Sequence, residues 1–356
     1  MAAPAATLFG ALPGALISRA APVRELLAEP APRQMELLSW NVECLDDRGG
    51  QGTFALRMLE VARVVAAERP AAVLLQEVNR PALDILAAQE LLGSQYEVVV
   101  PEDPSFPYYV AMLLHKEQLR RVGKSVAVDY PGSLSGRQLL AQGVERADGR
   151  GAPLLLATAH LESDESMDQE RRRQFMRSMR HLQRAVGRPL PGAAPGARAA
   201  GAAAFGVDLS LGVALDCPSW LELTENSDIA DAFEYCGSPL KASSTFNVPD
   251  RDAAPRKRRT APRRGAGRRP DRVFFLSPGV SDRRQAGAAP ASGAPAAGGG
   301  WKPVGVRLVG KDVVAGLGGY PSHHCGVVTT WTPGHEAGAA GAAVLGRRAP
   351  CADQAG

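Results

Sequence analysis

The clearest feature of the hydrophobic pattern is a short apolar run that ends in a charge. Residues 71–75 are five consecutive apolar residues that follow Pro70, and the run leads to a single carboxylate, Glu77. Such a run predicts a buried strand. A carboxylate at its end is unfavourable without a partner. A divalent cation and an Arg or Lys side chain both remain suitable partners for Glu77 at this point.

The rest of the pattern predicts strands and helices that alternate early in the chain, followed by a region in which strands dominate. Apolar residues at helical spacing predict helices over 54–69, 81–92 and 165–187. Short apolar runs predict strands over 36–42, 71–78, 96–100, 108–114, 154–160, 202–208, 229–235, 272–276, 304–309 and 327–331. This order predicts an α/β or α+β protein with a substantial sheet core.

Several predicted strands end in or near a polar side chain. Asn41, Glu77, His160 and Asp208 each stand at the end of an apolar run. Two adjacent histidines, His323 and His324, precede the last predicted strand in a turn that contains Ser and Gly. Because ligands of α/β sheets gather at strand ends, we expect these residues to line one functional edge.

Composition and charge divide the chain into a folded region and flanking segments. The 356 residues carry a formal net charge of +4, and we expect the folded domain to cover residues 35–333. Residues 1–34 are rich in Ala and Pro and predict a disordered leader or a transit peptide for a mitochondrion or plastid. Residues 285–300 predict a low-complexity insertion, and residues 334–356 a disordered tail.

A basic loop over residues 250–270 is the main local charge. Residues 251–272 contain ten Arg or Lys and two Asp, which favours a nucleic-acid partner, a nuclear-import signal or a solvated loop. We therefore expect the nucleus as the compartment, with the organelle leader as the alternative. The five cysteines form no CxxC pair, which makes a structural zinc site unexpected.

The apolar runs also bear on membranes and partners. No apolar run approaches the ~18 residues that a bilayer-spanning helix needs, so we expect no membrane partner. The sequence does not determine an oligomeric state, and a monomer is the simplest expectation.

Six short motifs in chain order resemble those of the endonuclease/exonuclease/phosphatase superfamily. They are Trp40-Asn41, Leu75-Gln76-Glu77, residues 158–163, residues 205–210, Asp271-Arg272 and residues 322–326. Gly136-Arg137, residues 109–114 and Gln169-Glu170-Arg171 add a resemblance to its tyrosyl-DNA phosphodiesterase branch. The resemblance implies a four-layered α/β sandwich, in which two packed mixed β-sheets are flanked by helices.

The same resemblance implies a Mg²⁺-dependent (or Mn²⁺-dependent) phosphodiesterase of DNA repair. Its substrate would be a DNA 5′ end joined to the tyrosine of a topoisomerase-derived peptide, and its product a 5′-phosphate. Glu77 would hold the metal with Asn41 close by, and Asp208 would act as general base with help from Ser210. His324, oriented by Asp271, would donate to a phosphate oxygen. The resemblance places substrate and DNA contacts at His160, Arg137, Ser163, Phe246 and His323.

The chain departs from this family's pattern at four positions. Ser210 replaces an Asn after the general base, and Val207 replaces a Gly before it. His323 replaces the Asp of a Ser-Asp-His motif, which predicts weaker Mg²⁺ binding because imidazole is a poor ligand for a hard cation. Phe246 stands in Ser244-Thr245-Phe246-Asn247, where the family has Tyr-Thr-Trp-Asp.

These departures leave two alternatives to a tyrosyl-DNA phosphodiesterase. One is a degenerate, non-catalytic relative that binds nucleic acid through the basic loop. The other is a phosphodiesterase or nuclease of the same superfamily that acts on abasic DNA, inositol phosphates or lipids.

Overall fold

A computed structural model describes residues 34–45, 50–102, 106–210, 228–239, 243–246, 269–277, 300–314 and 316–334. Within these residues the strands are β1 Met35–Asn41, β2 Ala72–Val78, β3 Tyr96–Val99, β4 Tyr109–His115, β5 Leu119–Asp129, β6 Gln138–Arg146, β7 Leu154–His160, β8 Ala202–Asp208, β9 Ile229–Asp231, β10 Asp271–Leu276, β11 Trp301–Val309 and β12 Gly326–Pro333. The helices are α1 Gly50–Glu68, α2 Arg80–Ala88, α3 Glu90–Gln95, α4 Asp168–Ala185 and α5 Ala232–Tyr235.

The described strands form two mixed sheets of six strands each. One sheet has the order β11-β12-β1-β2-β4-β3 and the other β5-β6-β7-β8-β10-β9. In each sheet the two central strands are parallel, β1 with β2 and β7 with β8, and antiparallel strands flank them. The two sheets therefore share one plan, with a parallel pair at the centre of each.

Three hydrophobic clusters define the layers of the fold. The central cluster packs the two sheets together and includes Leu74, Leu156 and Phe275. A second cluster packs α1, α2 and α3 on the β1–β2 sheet, with Met58 and Leu86 among its members. The third packs α4 on the β7–β8 sheet. The predicted four-layered sandwich of two mixed sheets between helices is confirmed.

Most predicted elements are present, with three differences. The predicted helix over 81–92 is two helices, which Gln89 separates. The predicted strand over 229–235 is wrong in its second half, because Asp231 accepts a hydrogen bond from Phe233 N and caps α5 there. The predicted helix over 165–187 starts as the 3₁₀ turn Glu165–Met167 and becomes α-helical at Asp168.

Strands β5 and β6 were not predicted from the hydrophobic pattern. β5 lies at a sheet edge, and most of its residues are exposed or half-buried. Its sequence therefore lacks both the continuous apolar run of a central strand and a clear alternation. β5 forms a strand because it pairs with β6, and the local sequence does not show this pairing.

Several predicted segments lie outside the described residues. They are residues 1–33 of the leader, residues 250–268 of the basic loop, most of the low-complexity insertion and most of the tail. Among the helices of the described part, none is long and apolar enough to cross a bilayer.

Candidate active site

The parallel strand pairs bring the polar strand ends together at one edge of the molecule. Asn41 at the end of β1 is level with Gln76, next to Glu77. His160 at the end of β7 is level with Asp208 at the end of β8. Parallel neighbours end at the same edge of their sheet, and the two sheets pack with these edges adjacent. His160 lies 3.4 Å from Glu77 and 3.5 Å from Asp208, so the predicted convergence is present.

Glu77 lies in a strained segment of β2. Its φ of 53° is in the left-handed region, and the pairing of β2 with β4 shifts register between Leu75 and Val78. Burial, and next the charge of Asp208, raise the pKa of Glu77 above its ordinary value. Left-handed non-glycine residues concentrate at functional sites. The irregularity turns the carboxylate towards the other acids at this edge.

Asp208 is buried, and both of its oxygens accept hydrogen bonds. Asn41 Nδ2 donates to Oδ2 at 2.6 Å, and the Ser210 backbone N–H donates to Oδ1 at 2.6 Å. Burial by itself would raise the pKa of Asp208, but the nearby His324 and His160 and these hydrogen bonds hold it below its ordinary value. Asp208 is therefore ionised and fixed in direction.

His324 and Asp271 form a buried ion pair beside Asp208. The two oxygens of Asp271 each lie 2.9 Å from His324 Nδ1, and Asp208 Oδ2 lies 3.8 Å from the same nitrogen. Burial alone would lower the pKa of His324, but Asp271 and Asp208 raise it to about 10. Burial raises the pKa of Asp271 to about 6. Because Nδ1 faces Asp271, Nε2 remains the nitrogen that can donate to a ligand.

His160 is neutral and has a defined tautomer. Arg137 Nη1 donates to His160 Nδ1 at 2.7 Å, so the ring proton is on Nε2, which lies 3.1 Å from Ser210 Oγ. Burial, and next the charge of Arg137, lower the pKa of His160 to about 3. Ser210 Oγ donates in turn to the Leu161 carbonyl at 3.0 Å. His160 therefore joins Arg137 to Ser210 without carrying charge.

Arg137 is a buried cation whose described polar contact is with this neutral imidazole. Its side chain lies over the Tyr108 ring, 4.8 Å from the centroid, and its Nε is buried without a hydrogen-bond partner. Within the described residues no carboxylate is hydrogen-bonded to this guanidinium, although its charge opposes the raised pKa of Glu77. Such a guanidinium is suited to bind an anion. Arg137 fits the phosphate-contacting role that the resemblance implied.

The remaining predicted residues occupy varied positions. The Phe246 ring packs edge-on against His324, with centroids 4.7 Å apart, so it supports the imidazole. Ser163 is exposed, and the described residues include no hydrogen bond from it to the cluster. Val207, which replaces the family's Gly, is fully buried in the cluster between its sheet and α4.

Glu43 is the residue that sequence reasoning missed. Its carboxylate accepts the His323 backbone N–H at 2.6 Å, and His323 Nδ1 lies 3.1 Å from its other oxygen. Burial would raise the pKa of Glu43, but the hydrogen bonds and charge of His323 hold it below its ordinary value. Glu43 lies beyond the end of β1 with a left-handed φ of 48°, so strand periodicity provides no signal for it.

Two groups of donors at this edge could hold a divalent cation. One is Glu77, whose pKa is raised first by burial and then by the charges of Asp208 and Glu43, against the charge of Arg137; a hard cation would relieve the repulsion between the carboxylates. The other is Asp208, Asp271 and His324, whose ligand atoms lie within 4.8 Å of one another. In that group the protonated imidazole of His324 already pairs with Asp271 through Nδ1. A metal ion bound there would have to displace this imidazolium. The donor chemistry therefore fits Glu77 better.

Comparisons with known proteins match this geometry at the level of the fold. No protein-family model and no curated protein matches the chain. Solved structures do: TDP2 (tyrosyl-DNA phosphodiesterase 2) of D. rerio, complexed with single-strand DNA product, has a TM-score of 0.61 and 22% identity, covering 84% of this chain and 99% of that chain. Truncated TDP2 of Caenorhabditis elegans has a TM-score of 0.59 and 24% identity, covering 84% and 97%.

A more distant match shows how general the architecture is. The endonuclease/exonuclease/phosphatase of Bacteroides vulgatus has a TM-score of 0.56 and 13% identity, covering 84% of this chain and 99% of that chain. The chain therefore has the endonuclease/exonuclease/phosphatase fold, and the resemblance drawn from the motifs is confirmed at that level.

Proposed function

We propose that this chain is a Mg²⁺-dependent phosphodiesterase that hydrolyses 5′-tyrosyl-DNA bonds and leaves a 5′-phosphate. One observation carries the proposal. An ionised, oriented Asp208 lies 3.8 Å from the protonated His324–Asp271 pair, at the edge that also bears Glu77. Water activation, phosphate binding and cation binding thus have separate, adjacent groups.

Asp208 is the general base in this proposal. Asn41 and the Ser210 N–H each hold one of its oxygens, which leaves the remaining lone pairs to accept from a water. The water oxygen forms the new bond to phosphorus while Asp208 takes its proton. Asn41 therefore acts by orienting Asp208, since its amide nitrogen is already committed to that carboxylate.

His324 and Arg137 are the phosphate-binding groups. His324 is protonated below pH ~10, and its Nε2–H donates to a non-bridging oxygen whose charge grows in the transition state. Arg137 supplies a second cationic donor from the β5–β6 loop. Each such donor typically contributes about 10²–10³-fold in rate.

A bound Mg²⁺ would be held by Glu77 and would polarise a phosphate oxygen and neutralise developing charge. The donor set favours this ion over softer metals because Glu77 and its neighbours offer carboxylate oxygen. The tyrosyl phenolate needs little help as a leaving group, because the pKa of its conjugate acid is about 10. The choice of a tyrosyl-DNA substrate is supported by the motifs and by the shared fold with TDP2.

The test is release of tyrosine from a 5′-phosphotyrosyl oligonucleotide with and without Mg²⁺. We expect turnover with Mg²⁺, and a loss of at least about 10²-fold in Asp208→Asn, the scale for a general base. Parallel assays with abasic DNA, an inositol phosphate and a lipid phosphodiester define the substrate class. Faster turnover of any of these would replace the tyrosyl-DNA assignment.

A non-catalytic nucleic-acid-binding protein is the second candidate, and His323 and the basic loop favour it. A binder requires no Mg²⁺, and its affinity for an oligonucleotide would fall steeply with salt. Wild-type protein that binds the tyrosyl oligonucleotide but shows no Mg²⁺-dependent turnover on any of the four substrates would support this candidate.

A further inference from the structure

Two loops that meet beside the site are joined by an unusual set of contacts. The β1 loop is residues 42–45, and the β12 loop is residues 320–325. Glu43 of the β1 loop has a φ of 48°, which is unfavourable for a residue with a side chain. Its carboxylate lies against the β12 loop, 3.2 Å from Ser322 Oγ and 2.6 Å from the His323 N. These contacts stabilise the left-handed conformation.

The His323 ring completes the contact. Its Nδ1 lies 3.1 Å from Glu43 Oε1, while the Glu43 side chain is 16% exposed and the His323 side chain 41% exposed. The ring therefore lies at the rim and turns towards the other loop.

Hydrogen bonds to backbone carbonyls also hold the two loops together. Arg57 of α1 is buried and donates to the carbonyls of Glu43 at 2.8 Å and Pro321 at 3.2 Å. Trp40 Nε1 donates to the His324 carbonyl at 2.9 Å, and His324 N donates to Ser322 Oγ at 3.1 Å. The position of His324 thus depends on the conformation of the β1 loop.

We infer that Glu43 and His323 form a positioning pair that sets the β12 loop, and with it His324, relative to Asp208 and Asp271. The inference rests on the proposed function, in which His324 binds the phosphate. Glu43 contacts the β12 loop at Ser322 Oγ and at the His323 N–H, so the pair acts on His324 through the loop. The charge of Glu43 also helps to raise the pKa of His324. Removing either one lets the loop shift, and the imidazole then meets the phosphate less well.

Trp40 offers a readout that does not depend on catalysis. Its indole N–H reports on the His324 carbonyl, whereas the indoles of Trp301 and Trp331 donate to the Ala152 carbonyl and to Thr329 Oγ1 elsewhere. In ¹⁵N–¹H spectra of the full chain, we expect Glu43→Gln and His323→Ala each to shift the Trp40 resonance. The Trp301 and Trp331 resonances should stay in place and show that the fold is intact.

Kinetics on the 5′-phosphotyrosyl oligonucleotide give the second readout. Each variant should lower kcat by about 10–100-fold, as for other orienting contacts, with KM changed by less than about threefold. The double variant should be no slower than the slower single variant, because each of the three variants loses the same contact between Glu43 and His323. Glu60→Gln is the matched control and should change neither readout. It removes a carboxylate of α1 that pairs with Arg63, one turn along the same helix.

The outcomes separate this inference from the proposed function. An unshifted Trp40 resonance in either variant, or rate losses that multiply in the double variant, would overturn the positioning pair. If Glu43→Gln also shifts Trp301 and Trp331, the half-exposed His323→Ala decides by the same criterion. Absence of turnover in the wild type would overturn the proposed function, and the Trp40 resonance would still decide the pair.

Discussion

At the scale of single residues, the site is a small set of buried charges whose order of protonation follows from their neighbours. His324 carries the proton between Asp271 and Asp208, and His160 stays neutral because burial and Arg137 oppose a second charge. Two histidines that both lie beside Asp208 thus differ in charge. In the proposed function, this difference lets His324 donate to a phosphate while His160 holds Ser210.

The pH profile of Asp271→Asn tests this distribution of charge. The pKa of His324 is raised above its ordinary 6.5 to about 10, so the protonated donor is present below that pH and is lost as pH rises through it. Asn at position 271 removes the larger of the two raising charges and lowers this pKa. The basic limb of kcat/KM for phosphotyrosyl-oligonucleotide hydrolysis should therefore move to lower pH.

The control for that profile is Asp168→Asn on the surface of α4, where the carboxylate pairs with Arg172. It should leave the basic limb where the wild type has it. A basic limb that is the same in Asp271→Asn and wild type would contradict the assignment of His324 as the protonated donor.

The sequence singled out Asp208 and His160 because each is a polar residue that ends an apolar run. The structure places them side by side at the ends of two parallel strands, and their roles in the site stay predictions. Glu43 could not be found in this way, because its partner His323 is 280 positions away in the chain.

At the scale of elements, the loop between β5 and β6 delivers Arg137, and Glu162 holds that loop. Glu162 follows β7 and is buried. Its carboxylate accepts hydrogen bonds from Ser133 Oγ, Leu134 N, Ser135 N and Ser135 Oγ at 2.6–3.1 Å. Ser133 Oγ in turn accepts from the Arg137 N at 2.8 Å. One carboxylate thereby organises a loop that has little apolar packing.

We predict that Glu162→Gln weakens this loop more than the fold as a whole. The amide presents an NH₂ group to donors of the loop, which leaves buried polar groups unpaired at a cost of about 1–3 kcal/mol. Arg137 then loses its fixed position, so KM for the phosphotyrosyl oligonucleotide should rise and the free energy of unfolding should fall. Urea titration and steady-state kinetics measure the two effects.

Glu165→Gln, in the exposed 3₁₀ turn that follows, is the matched control and should change neither quantity. An unchanged KM in Glu162→Gln would show that Arg137 is held by other contacts.

Element prediction succeeded for the central strands and failed for the strands that carry this loop. β7 and β8 are buried along their whole length, so their sequences are apolar runs that predict strands. β5 is an edge strand with charged and half-buried residues, so its place is decided by pairing with β6. Local periodicity contains no information on such a partner.

At the scale of the whole molecule, the site depends on how closely the two sheets pack. A polar contact crosses between them just below the site, where Gln76 Nε2 of one sheet donates to Thr158 Oγ1 of the other at 2.9 Å. Gln76 Nε2 also donates to Ser39 Oγ of its own sheet at 3.2 Å. Gly206 of β8 lies against Ser39, and a Cβ added at Gly206 would meet Ser39 Oγ at 2.5 Å. The small residue lets the sheets approach.

Gly206→Ala should therefore separate the sheets locally and destabilise the fold. Overpacking of this kind costs about 1–3 kcal/mol, measurable by chemical denaturation. Gly52→Ala is the control, because a Cβ at Gly52 meets nothing within 4 Å on α1 and removal of a helical glycine stabilises by about 0.5–1 kcal/mol. Equal stability of Gly206→Ala and wild type would show that the two sheets accommodate the added methyl group without cost.

The architecture as a whole could be anticipated from the motifs and only partly from the pattern. Alternating strands and helices indicated a sheet core, but not whether there was one sheet or two. The parallel pairs β1–β2 and β7–β8 each form the centre of a separate sheet, and no local pattern shows that the two pairs remain apart. The four-layered arrangement followed from the resemblance, and the structure supplies its physical basis.

The central claim is that Glu77 holds the catalytic cation while Asp208, Asp271 and His324 remain free for the chemistry. Anomalous diffraction from crystals soaked in Mn²⁺ tests it most directly. We predict one peak at ligand distance, about 2.1 Å, from a Glu77 carboxylate oxygen, and its absence in Glu77→Gln. A peak enclosed instead by Asp208, Asp271 and His324, with Glu77 out of reach, would contradict the account.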